Sequence, residues 1–236
     1  MGQKLNHEQK GQLADQLMEL MRMTVNGIRP FDDVRRGLQD IIDGKLSSGI
    51  DWWRTPEQQL VRARQLWPND ILPEPPGEFT PRAKSEVLLL HVPDSFDSLW
   101  NKVDAPMGYT KFRSEDVGSD KHNLRLAPNK VEYTEPVWLA FDPERGKGER
   151  PDSFWDQADV AASEVLSAVI QFPEWPLVWC KGASAPNLSG YRLQYEWTWS
   201  FVPYLGRWDD GRRLELSGSR ANGRYGRWSS PSVREC

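Results

Sequence analysis

Apolar positions recur at helical spacing through the first third of the chain and at a period of two near its end. Leu13, Leu17, Leu20 and Met21 share one helical face, and Asn26-Gly27 supplies a stop. Arg29-Pro30 opens a second helix with Phe31, Val34, Leu38, Ile41 and Ile42 on one face and Gly44 just past its end. A third begins at Thr55. Pro56 takes the first helical position, Gln58 completes a capping box, and Leu60, Ala63 and Trp67 fall on one side. Residues 1–67 therefore read as a small helical module suited to docking, and the Pro-rich stretch 68–81 as an extended connector.

From residue 82 onward strands and helix mix, which predicts an α+β domain. The apolar run ending in His91 reads as a strand, and Glu135 to Phe141 as a second buried one, with an irregular segment over 104–130 between them. The charged turn around Gly146, Lys147 and Gly148 lacks the glycine spacing of a phosphate-binding loop. Ser153 is positioned to cap a helix with Asp156 as its acidic partner. Its stripe would be Ala158, Ala161, Ala162, Val165, Leu166 and Val169, ended by Phe172-Pro173. Residues 176–180 predict a strand and 183–190 a turn-rich loop. Residues 191–199 predict one alternating strand with Leu193, Tyr195 and Trp197 on a single face.

The last stretch, Phe201 to Cys236, alternates most clearly. Leu214 and Leu216 point one way and Arg213, Glu215 and Ser217 the other, as in a strand buried on one face. Residues 217–227 are so rich in Gly and Ser that they read as exposed loop. Apolar anchors, among them Trp208, Leu214, Leu216 and Trp228, thus form a frame. Between them stand Asp209, Arg213, Glu215, Ser217, Ser219, Asn222, Arg224, Tyr225 and Arg227, the candidate ligand-binding residues. Arg and Tyr provide contact area and forked hydrogen bonding, and Ser, Gly and Asn adaptable polar contacts, as in antibody loops.

Composition narrows the chemistry. A charged fraction of 27% and a hydrophobic fraction of 38% suit a soluble globular protein. The opening residues are polar where a signal peptide needs an apolar core, which points to the cytoplasm or to a surface reached by another route. The net charge of -4 argues against a nucleic-acid face, because Asp209, Asp210 and Glu215 dilute the arginines of the tail. Cys180 and Cys236 alone make no disulfide framework. His7, His91 and His122 lie in separate settings without metal spacing, so no catalytic, metal or cofactor site is expected and His91 reads as a satisfied core histidine. The 12 tryptophans predict an aromatic core.

The order of features over 85–236 resembles the variable proteins of diversity-generating retroelements. The matching stretches are the helix and its Phe-Pro stop, the strand at 176–179, the run from Val202 to Trp228, and a closing strand at Ser232-Val233-Arg234. The resemblance implies a C-type-lectin-like domain over 82–236, a diversified region at about 201–236, and a display function toward a protein or glycan. Adenine-directed mutation of an AAC or AAT codon reaches Asn, Ser, Gly, Asp, Arg and Tyr but never Lys, Gln, Met or Trp; Lys, Gln and Met are absent from 201–236, and Glu215 and the two tryptophans there would be framework or come from other codons. Two other readings remain open. One is an enzyme on a related fold, such as a formylglycine-generating-type oxidase, which would need cysteines better placed than Cys180 and Cys236. The other is nucleic-acid binding through the arginines of the tail.

Overall fold

The computed structural model describes residues 54–105, 109–115, 117, 123–176, 185–195, 197–208 and 213–236. Contacts divide the chain between Asp51 and Trp52, and all the described residues belong to the unit Trp52–Cys236. The two helices expected before residue 45 lie outside the described residues.

Helix α1 (Pro56–Leu66) forms as its sequence requires, with both halves of the Thr55–Gln58 capping box in place. Leu60, Ala63 and Trp67 are 7%, 0% and 7% exposed and join the main core, so this helix belongs to the C-terminal unit and the boundary expected at residue 67 moves upstream. The Pro-rich stretch is correspondingly a strap rather than a spacer between bodies. Trp138 Nε1 donates to Pro73 O at 3.0 Å and Arg234 Nη2 to Thr80 O at 3.1 Å.

Two expected strands appear as β1 (Val87–His91) and, after helix α2 (Phe96–Lys102), as β4 (Val137–Asp142). Between them the segment read as irregular holds two short strands, β2 (Thr110–Arg113) and β3 (Leu124–Leu126). Neither carries an apolar run of its own, and each is stabilised by the neighbour it pairs with. The long stripe beginning at Ser153 is not one helix. A 3₁₀ turn (Pro151–Phe154) comes first, and α3 (Glu164–Gln171) starts ten residues later with all eight of its residues buried. Ala161 and Ala162 of the expected stripe are buried ahead of the helix without belonging to it, so their spacing extended the apparent helical face past its true start.

The remaining strands are β5 (Ala185–Pro186), β6 (Tyr191–Tyr195), β7 (Thr198–Trp208), β8 (Arg213–Arg220), β9 (Trp228–Ser229) and β10 (Ser232–Glu235). The run 191–199 is a hairpin, turning at Trp197, whose φ of 68° is left-handed. Ser217 to Arg220, expected as loop, continues β8; small polar residues are admitted there because β7 pairs with the strand along its whole length. Three sheets result: β1-β4-β10, β2-β8-β7-β6-β3, and the pair β5-β9. The closing strand β10 pairs antiparallel to β4, and Arg234 clamps it to Glu86 through two bonds of 2.8 and 2.9 Å. The main core cluster gathers residues of β1, β4 and α3 and extends under the large sheet through Leu193, Leu205, Leu214 and Leu216, and a smaller cluster of Ala127, Phe154 and Val160 stands apart from it. The unit is thus mixed α and β, as the sequence predicts at that level.

Candidate functional site

The candidate surface is built on β7 and β8. Their antiparallel register sets Leu205 opposite Leu216, Tyr204 opposite Ser217, Gly206 opposite Glu215 and Val202 opposite Ser219. Alternation then gives two faces. Leu205, Leu214 and Leu216, each 0% exposed, turn into the core. Arg213, Glu215, Ser217 and Ser219 turn the other way, beside Tyr204.

That second face is not bare. The β5-β9 pair and the loop after β8 lean over it: Asn187 forms a bridge to Tyr204, and its amide donates to Ser229 O at 2.9 Å. Tyr204 stacks on Trp228 with ring centroids 4.3 Å apart, and Tyr225 packs on the same Trp228 at 4.5 Å. Burial pushes the Tyr204 phenol upward, against the lowering effect of its hydrogen bond with Ser217.

This cover sorts the candidate residues. Asn222, Arg224, Tyr225 and Arg227 stand at the surface, and Arg213 and Ser217 are half-buried. Glu215 and Ser219, expected among the displayed tips, are buried at 8% each. The reason for Glu215 is the parallel strand β2, which sets Phe112 beside it, together with an ion pair of 2.9 Å to Arg213. The Arg213 guanidinium also lies 4.7 Å over the Phe112 ring. Ser219 stands opposite Val202, itself 0% exposed, so both strands are buried at this end of the face. Asp209 lies outside the described residues, as do His122 and residues 177–180 of the strand expected at 176–180, Cys180 among them; Pro176 is described and is not in a strand. Phe112 escaped the sequence reading; one aromatic in a polar run is the only hint of it.

A second constellation sits inside the domain. His91 Nδ1 lies 2.8 Å from Ser167 Oγ, joining the end of β1 to α3. Lys130 Nζ lies 2.6 Å from Glu164 Oε1, both side chains 2% exposed. With Tyr133, the residues His91, Lys130 and Glu164 line a cavity of about 70 Å³. Burial holds His91 down at about 4, so its ring is neutral at physiological pH, and burial pushes Tyr133 up to about 12. Burial also works to raise Glu164, but Lys130, His91 and the Ala162 amide outweigh it and keep the carboxylate below its ordinary range. Ser167 is itself 1% exposed and does not line the cavity, so the pair it forms with His91 holds two elements together rather than presenting a nucleophile. Half of this was legible beforehand: His91 reads as a satisfied core residue, but its partners carry no mark of the pairing.

Among the described residues no group of three or more His, Cys, Asp and Glu could hold a metal ion, and no helix is long and apolar enough to cross a membrane. The β7–β8 face presents a cation on an aromatic ring, stacked aromatics and the half-buried Ser217 hydroxyl. Comparison with protein-family models, with curated proteins and with solved structures finds no match to this chain.

Proposed function

We propose that the chain is a ligand-binding display protein, of the kind the variable proteins of diversity-generating retroelements exemplify, on a C-type-lectin-like domain. Its recognition surface comprises Arg213, Ser217, Asn222, Arg224, Tyr225 and Arg227, and its partner is a protein or a glycan rather than a substrate to be transformed. The observation that carries this reading is the sidedness of β8. Leu214 and Leu216 are fully buried, while Arg213 and Ser217 beside them face outward, next to a loop of exposed residues. A surface open to mass substitution must draw its stability from the frame and little from its tips.

The reading is tested at the level of the gene. A near-copy of the codons for 201–236 is expected close to a reverse transcriptase, with its differences confined to adenines and falling on the codons of the exposed residues. A near-copy whose differences fall equally on the codons of Leu214 and Leu216 would contradict it, as would the absence of any such copy.

A further inference from the structure

The large sheet carries a second feature, on the opposite face of β8 from Arg213 and Ser217. The register sets Leu193 of β6 opposite Phe201 of β7, and Phe201 opposite Arg220 of β8, so the three form one row across the sheet. A period of two puts Trp199 on the Phe201 side of β7. Tyr195 and Trp199 are each 39% exposed, and the Tyr195 ring packs 4.9 Å from that of Phe201. Leu193, Tyr195, Phe201, Gly218 and Arg220 enclose a hollow of about 300 Å³. Glycine at 218 fits against its floor: a Cβ there would stand 2.9 Å from Leu193 Cδ1. Arg220 at the rim is exposed and has no ion-pair partner among the described residues.

We propose that this hollow is a docking site for an acidic peptide segment of a protein partner. One bulky apolar side chain of the peptide fills the hollow, and a neighbouring Asp or Glu meets the Arg220 guanidinium. Two observations select this occupant. Among the described residues the lining side chains are Leu193, Tyr195 and Phe201 beside Arg220, an aliphatic and two aromatic surfaces that fit one bulky apolar side chain next to one acid. The unpaired cation sits beside exposed Trp and Tyr, the residue types that anchor protein interfaces, and it complements a carboxylate. The site uses the other face of β8 from Arg213 and Ser217, although Phe201, Gly218 and Arg220 lie within 201–236, so a fixed Arg220 across copies of the gene would set it apart from the display surface.

The test is panning of a phage-displayed random peptide library against the full chain, followed by binding of the enriched peptide to Arg220→Glu and Trp199→Ser variants with unchanged melting temperatures. Enriched peptides are expected to carry an aromatic or Leu beside Asp or Glu. Arg220→Glu should weaken the synthetic peptide by about tenfold or more, and a version with Lys in place of its acids should regain affinity for that variant. Enriched peptides without acidic residues, or affinity for Arg220→Glu within about twofold of wild type, would overturn the proposal. So would a library that yields no binder, glycan binding lost in the same variants, or a dimer of the chain abolished by Trp199→Ser.

Discussion

The junction of β1 with α3 and the outer face of β7–β8 use the same chemical vocabulary to opposite ends. Both hold a carboxylate against a cation, with hydroxyls and aromatic rings alongside. At the junction, Lys130 and Glu164 are shut away from water and each depends on the other. On the outer face, Arg213 keeps a side chain 42% exposed while its partner Glu215 is only 11% exposed. Polar groups buried in pairs make a site that tolerates no change, because removing one member strands the other. Polar groups with one side in water can be exchanged at little cost. Arg213 stands between the two cases, since deleting it leaves Glu215 half-stranded, so it is less free to vary than Ser217 or Asn222.

The sharpest way to break this contrast is Lys130→Met. It should lower the unfolding free energy by about 3–5 kcal/mol in urea titrations, because Glu164 is left buried and charged. A loss below about 1 kcal/mol, the value of an exposed pair, would erase the difference between the regions. Leu216→Ala, beneath the outer face, should cost about 2–5 kcal/mol in the same titrations through the cavity it opens, placing the stability of that face in the residues under it.

Acid should separate the regions next. His91 titrates at about 4 when folded against 6.5 when free, so the unfolded chain binds the extra proton first. Stability is then full above pH 6.5 and falls as pH drops toward about 4, by up to about 3 kcal/mol for this group. Thermal melts of wild type and His91→Gln across that window should converge at the acid end, and parallel curves would show that His91 does not supply the dependence. The smallest effect belongs to the tips. Ser217→Ala, Asn222→Ser and Tyr225→Ser should each stay within about 0.5–1 kcal/mol of wild type while altering ligand binding. Tyr225 is the most exacting of the three because its ring rests on Trp228.

Local sequence carried much of the frame. The Thr55 capping box and the β1 and β4 runs were legible because each is encoded within a few adjacent residues, whereas the closing strand at Ser232 was expected only from the resemblance. The alternation around Leu214 likewise located β8 and its buried face. What escaped was set by partners distant in the chain. β2 is exposed and polar and exists as a strand through its parallel pairing with β8, about a hundred residues away. The hairpin at Trp197 reads as a continuous alternation, since Tyr195 and Trp199 keep the period on both sides of the turn. Glu215 and Ser219 followed the outward parity, as expected, but parity says nothing about what lies above a sheet. Only the packing of Tyr204, Trp228 and Phe112 determines that. The His91, Ser167, Lys130 and Glu164 cluster joins separated segments, and no spacing rule could have linked them.

The Arg234–Glu86 clamp bears on fraying. Glu86 stands just ahead of β1 and Arg234 lies in β10, with β4 between the two strands, so the clamp ties both edges of one three-stranded sheet together. Peeling β10 away then costs this ion pair as well as the ladder to β4, which should keep the strand closed to a protease.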